Sequence, residues 1–164
     1  MADMAENNRA VVRLKEKFAA SVLDVKEFRG EVTVTVTKEN IVEICGFLKK
    51  ELAYDLLTDV TAVDYLGKEP RFMVVYNLYS IPNKDRLRVK APVAEGDGTI
   101  DTVTTLWNSA NWLERETYDL FGIIFKGHPD LRRILMTDDW VGHPLRKDYP
   151  LQGPGREPYK GRLS

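Results

Sequence analysis

Six consecutive residues, Val32, Thr33, Val34, Thr35, Val36 and Thr37, alternate valine with threonine without a break. Both residue types branch at Cβ, which stiffens the side chain and suits the pleated surface of a strand better than a helix. On a helix the three valines would scatter around the axis, whereas on a strand they all point to one side. That apolar side needs a second layer to cover it, while the threonine side can face water. A chain built around such a strand is a layered domain, with helices lying on one face of a sheet.

The flanking sequence supplies those helices and more strands. Val11, Leu14, Phe18 and Val22 recur at helical spacing and predict an amphipathic helix from about residue 8 to about residue 20. Residues 22–28 read as a strand, with Arg29, Gly30 and Glu31 turning the chain into the alternating run as a hairpin. Thr37 is placed to cap a helix whose apolar side is Ile41, Ile44, Cys45, Leu48 and Leu52. Further strands are predicted over 56–65, 71–79 and 85–91, and residues 94–99 read as a polar loop. In the last strand Arg86, Arg88 and Lys90 alternate with Leu87, Val89 and Ala91. This basic row reads as a solvated face or as the guard of a sheet edge. Alternation of this kind argues against a parallel α/β sheet, whose strands run continuously apolar. The predicted fold class is α+β: a two-layer domain with a mixed, mainly antiparallel sheet, helices on one face, and an extended C-terminal arm. The domain is expected to span 1–126 and the arm 127–164.

Several function classes are disfavoured. The net charge of −1 lacks the basic excess of a nucleic-acid binder. No apolar run reaches the roughly 18 residues that a membrane span needs, and the first residues lack the pattern of a secretory leader. The chain is therefore expected on the cytoplasmic side. Cys45 is the only cysteine, which excludes a zinc or iron–sulfur site built from four cysteines of this chain. No glycine-rich phosphate loop occurs.

Charge, aromatic rings and both histidines crowd into residues 112–151. Asn108 or Ser109 can cap a helix running over about 109–121, and Gly122 can end it in a left-handed turn. On it Leu113, Leu120 and Phe121 are expected to face the core, with Glu116 close to that stripe, and Arg115 to pair with Asp119 one turn on. Arg132 and Arg133 follow, one of them expected to meet Glu114 or Glu116. His128 and His143 each precede a proline and read as loop corners rather than metal ligands. Trp140 is expected on the surface, where tryptophan and arginine anchor interfaces. From His143 onward four of the eight prolines and five Lys/Arg against two Asp/Glu mark a basic, irregular tail. Tyr149 and Tyr159 suggest that it lies on another protein rather than in solvent.

Residues 114–135, ERETYDLFGIIFKGHPDLRRIL, resemble the signature of the 30-kDa-type (C-type) subunit of respiratory complex I, the bacterial NADH:quinone oxidoreductase. Glu114, Arg115, Glu116, Asp119, Leu120, Phe121, His128, Arg132, Ile134 and Leu135 fill its places without departure. The resemblance implies a non-catalytic structural subunit of the quinone-reducing peripheral arm. It implies no catalytic, cofactor-binding or metal-binding residue here, with FMN, iron–sulfur clusters and quinone held by partner subunits. The main contact is expected with the D-type subunit of the complex and others with its B-type and I-type subunits, the arm using Trp140, His143, Arg146, Tyr149 and Tyr159. Membrane contact would be indirect, through the complex, on the cytoplasmic side of the bacterial inner membrane. Two other readings compete. One is the equivalent subunit of a related membrane-bound hydrogenase or ferredoxin-fed complex; the other is a stand-alone acid–base enzyme using Glu114, Glu116 and His128.

Overall fold

A computed structural model describes residues 8–151. Helix α1 (Arg9–Phe18) leads through a 3-10 turn into the hairpin β1 (Val22–Phe28) and β2 (Glu31–Val36), followed by α2 (Ile41–Leu52). Three long strands come next, β3 (Leu56–Asp64), β4 (Phe72–Ser80) and β5 (Asp85–Val93). A short strand β6 (Thr99–Asp101), the helix α3 (Ala110–Phe121) and a short strand β7 (Ile124–Lys126) complete the elements.

The five long strands form one sheet in the order β1-β2-β5-β4-β3. Every pairing is antiparallel except β2 with β5, so the sheet is mixed and mainly antiparallel, as the alternation predicts. Val32, Val34 and Val36 all point inward to one core, with Val89 and Ala91 of β5 and Val74, Tyr76 and Leu78 of β4 beside them. Leu14, Ile44, Leu48 and Phe121 cap that core from the three helices, so the helices share one face of the sheet. A bulge in β3 between Leu57 and Asp59 inserts an extra residue, which keeps both Leu57 and Val60 inward.

Asn8 caps α1, its Oδ1 accepting from Ala10 and Val11 N–H at 2.9 and 3.3 Å. Two local expectations need correction. Thr37 does not cap α2, because a 3-10 turn (Lys38–Asn40) intervenes and the Thr37 hydroxyl donates to Asn40 Oδ1 instead. The basic row of β5 guards no edge, because β5 is the middle strand of the sheet. The parallel β6–β7 pair escaped the sequence altogether. Strands of three residues are too short to show a period.

Candidate functional site: a charged helix under a strap

Helix α3 is the crossover between β6 and β7 and packs against β3. It begins after Ser109, whose hydroxyl donates to the Leu57 carbonyl at 3.2 Å rather than capping the helix. It ends at Gly122, where φ is +76° and the N–H donates to Tyr118 O at 2.8 Å. A Cβ at Gly122 would lie 2.6 Å from both Arg146 and the His143 ring, so glycine serves the turn and the close approach together.

The helix buries a different set of residues from the one its apolar pattern suggests. Glu114, Thr117 and Asp119 are sealed, while Leu113 and Leu120 are only half-buried and Glu116 is exposed. Glu114 and Thr117 are sealed by the domain itself, Thr117 donating to Val60 O of β3 at 3.0 Å, whereas Asp119 is sealed by the segment after β7. Residues 131–149 double back over the helix and close the side that would otherwise carry its charges to water. This strap has no strand partner, so its peptide groups must find donors and acceptors elsewhere.

Two side chains of α3 supply them. Four donors converge on the fully buried Asp119 carboxylate. Ile134, Leu135 and Met136 N–H bind Oδ2 at 3.0, 2.8 and 2.8 Å, and Arg133 Nη1 binds Oδ1 at 2.6 Å. Burial alone would push this carboxyl up, but the three backbone donors and Arg133 outweigh it and hold Asp119 below the usual carboxylate range. Arg115 does the converse, donating from Nε to Arg132 O at 3.1 Å and from Nη2 to Arg133 O at 3.0 Å. Arg115 therefore serves the strap's carbonyls and Asp119 its amides, rather than pairing with each other as expected. Arg133 meets Asp119 rather than Glu114 or Glu116, the partners expected for it or for Arg132. Its neighbour Arg132 points outward to Asp130 at 2.8 Å, an exposed pair of little energetic weight.

Glu114 faces the opposite way, into the core. Its Oε1 accepts from Val103 N–H at 2.8 Å, and its Oε2 lies 2.5 Å from the Thr102 hydroxyl. These contacts fix the turn between β6 and α3. Burial nonetheless dominates and raises its pKa to about 7. The Cys45 thiol is driven up by the same burial and, secondarily, by Glu114. A carboxyl tuned to this range can act as a general acid or base in principle. Here its two contacts are to the chain's own loop, and Glu114 is itself 0% exposed.

A second anchor holds the end of the strap. Arg71, at the mouth of β4, forks onto the buried Asp64 through Nε and Nη2 at 2.9 and 2.8 Å. It also reaches Glu95 at 2.5 Å and Asp148 of the strap at 2.7 Å. These partners raise its pKa, Asp64 contributing most, and the Arg71 hydrogen bond holds Asp64 down. Lys147 N–H adds a bond to Asp64 Oδ2 at 2.8 Å. Arg146 donates to Phe121 O at 2.6 Å and lies 5.2 Å from the Phe72 ring centre.

Both histidines are corners, each with a defined proton. His128 Nε2 donates to Asn111 O while Nδ1 accepts from Asp130 N–H, both at 3.0 Å. His143 Nδ1 donates to Asp119 O at 2.9 Å, and burial lowers its pKa. Trp140 is half-buried rather than displayed. Tyr149 packs on Gly142 and donates to Val141 O at 3.1 Å. Ile134 is half-buried and Leu135 is 56% exposed. Tyr159 lies outside the described residues. The structure thus gathers Arg115, Asp119, His143 and Arg146 around one strap, and leaves Glu116 and Arg132 at the surface. Sequence reasoning missed Arg71 and Asp64, and gave Arg133 the wrong carboxylate. Only the chance of a buried ion pair between strand ends could have flagged the first two. Among the described residues no three His, Cys, Asp or Glu side chains converge as a metal site, and no helix is long and apolar enough to cross a membrane.

Comparison with known proteins accords with this geometry. The family described as "Respiratory-chain NADH dehydrogenase, 30 Kd subunit" matches residues 34–155. The chain is 81% identical over 164 residues to the C-type subunit of NADH-quinone oxidoreductase from Geotalea uraniireducens, covering 100% of both. It is 48% identical over 148 residues to the protein of the same name from Roseiflexus castenholzii, covering 89% of this chain and 85% of that one. Among solved structures, the trypsin-resistant fragment (1–134) of Nqo5 superposes with a TM-score of 0.66 at 37% identity, covering 74% of this chain and 99% of the fragment. A chain of the membrane-bound sulfane sulfur reductase, an archaeal respiratory membrane complex, superposes with a TM-score of 0.75 at 25% identity, covering 89% and 86%. With a fold shared at this level and sequence identity spanning the whole chain, the protein belongs to the family of the 30-kDa subunit of respiratory-chain NADH dehydrogenase.

Proposed function

We propose that the chain is a structural subunit of the peripheral arm of an NADH-quinone oxidoreductase. That complex passes electrons from NADH through FMN and iron–sulfur clusters to quinone. In this reading the chain itself supplies no catalytic residue, and the redox groups belong to its partners. The observation that carries it is the fate of the signature charges: Arg115 and Asp119 are consumed in binding the chain's own strap, and Glu114 in fixing its own loop. Charges so committed set the shape of the strap and loop that a partner would meet rather than act on a substrate.

The strap is the part presented to partners. Leu135, Val141 and Leu145 each leave more than half their surface open, at 56, 68 and 51%, along a segment that the two ion clusters hold in place. An apolar ridge of this kind, bordered by arginines, suits a protein neighbour. We place the D-type subunit there, with the B-type and I-type subunits as further contacts, and the complex on the cytoplasmic side of the bacterial inner membrane. Residues 127–164 then act as an arm whose first part is preset on its own domain.

Purification of a tagged chain from its native membrane tests this. Recovery of a flavin-containing, NADH-oxidising subunit together with the D-type subunit is expected. The likeness to a chain of the sulfane sulfur reductase favours a second reading, membership of a related complex with another electron donor. Recovery of a nickel-binding large subunit, or of no flavin subunit, would decide for it.

A further inference from the structure

Strand β5 runs down the middle of the sheet, and on the face turned away from the helices it carries Arg86, Arg88 and Lys90. A basic row at that position protects no edge. Strand register fixes its surroundings: Arg88 lies between Thr33 and Asn77, and Lys90 between Thr35 and Val75. Part of the charge is answered within the chain. Glu31 pairs with Arg88 at 2.7 Å, and Asp24 with Lys26 at 3.1 Å. Among the described residues no ion pair is formed by Arg86 or Lys90.

Lys90 is the telling residue. It is half-buried in the centre of the face, and burial followed by the charges of Arg88 and Lys26 lowers its pKa. An ammonium held among other cations and partly out of water is costly without a counter-charge. Further along the same strand a groove of about 490 Å³ opens along Glu31, Thr58, Asn77, Tyr79, Arg86 and Arg88. The Arg86 guanidinium lies 5.9 Å from the centre of the Tyr79 ring at its rim. Guanidinium, phenol and amide in one groove are the groups that anchor carboxylate-bearing protein segments.

We propose that this open sheet face is a docking surface for an acidic segment of a neighbouring protein, with carboxylates meeting Arg86 and Lys90 and a side chain entering the groove beside Tyr79. The proposal rests on the functional reading above only in placing that neighbour within the respiratory complex. A protein segment fits better than a polyanion. Two unanswered cations fall short of the roughly 4–8 clustered Lys/Arg of an anionic-lipid site.

Lysine acetylation and carbodiimide coupling, read by mass spectrometry on the intact wild-type complex and on the isolated full chain, test this directly. Lys90 is expected to react at least about tenfold more slowly in the complex, as desolvated interface groups do. The carbodiimide is expected to join it to an Asp or Glu of another protein of the complex. Equal acetylation in both states overturns the proposal. The double variant Arg86→Glu with Lys90→Glu is expected to melt as the wild type does when isolated, and to lower its recovery in the complex at least about tenfold. Wild-type recovery overturns the proposal as well. Binding of the isolated chain to phosphatidylserine vesicles that is lost in Lys90→Glu would replace the protein segment with a membrane surface. Failure of the tagged chain to bring down any complex sinks the functional reading and this proposal together. A complex in which Lys90 reacts freely sinks this proposal alone.

Discussion

Replacing Asp119 by asparagine keeps the shape of the side chain and removes its charge. The wild-type carboxylate takes three backbone N–H groups on one oxygen and Arg133 on the other. Asparagine turns one oxygen into an NH2 donor, so either the three amides or the guanidinium faces a donor instead of an acceptor. Breaking one side of a buried ion pair typically costs about 3–5 kcal/mol. Asp119 is fully buried, but the Arg133 side chain is 16% exposed and can recover some water, which favours the lower end of that range. A loss of about 3 kcal/mol corresponds to roughly a hundredfold in an opening equilibrium. The strap is partly open to solvent, so this loss should appear as local opening before global unfolding. Native-state hydrogen exchange of the isolated chain reads it at the Ile134, Leu135 and Met136 amides, which should lose about a hundredfold in protection while β4 and β5 amides stay protected. The pH dependence supplies a second check. Because the folded pKa of Asp119 lies below its unfolded value, its stabilisation is present above about pH 3.9 and is lost as pH falls through the folded value. Wild-type strap amides should therefore lose protection in acid, and those of Asp119→Asn should not lose more. Unchanged protection of residues 134–136 in the variant at neutral pH would refute the reasoning.

The other anchors make distinct predictions. Glu114, with its pKa raised to about 7, gives stability that is full below its unfolded value and declines as pH rises to that point. Glu114→Gln should flatten this dependence and melt higher than the wild type above neutral pH, by the equivalent of about 3 kcal/mol. Arg71→Met strands the buried Asp64 and should cost about 3–5 kcal/mol in urea unfolding. Asp148→Asn, whose side chain is 50% exposed, should cost under about 1 kcal/mol. Gly122→Ala combines a positive φ with a clash against Arg146 and His143, and should expose the strap to limited proteolysis at a cost of about 2 kcal/mol.

The layered α+β fold was legible because alternation and helical periodicity are one-dimensional signals. Val32 to Thr37 is one such signal, and Leu14 with Phe18 another. The same reasoning misjudged β5: alternation showed which residues faced out, but a strand's place in the sheet depends on pairings that a single strand does not encode. On α3 the apolar stripe of Leu113, Leu120 and Phe121 did point to the core, but it gave no sign of the buried polar groups beside it. The burial of Asp119 is created by the strap that folds over it, and hydrophobicity cannot announce a carboxylate sealed by backbone amides. Arg133 looked equivalent to Arg132 for the same reason, since adjacent residues in an extended segment differ only in what happens to lie on each side. Asp64 and Arg71, seven residues apart around a turn, showed no pattern of their own, although Arg71 with Asp148 and Asp64 with the Lys147 N–H tie the strap to the sheet.

In the proposed role the signature charges build an assembly surface and take no part in electron or proton chemistry. The direct measurement is made on membranes carrying Asp119→Asn, scoring the amount of assembled complex and the NADH:quinone turnover per assembled complex separately. A fall in assembled complex with unchanged turnover per complex is predicted. Full assembly with lost turnover would contradict it.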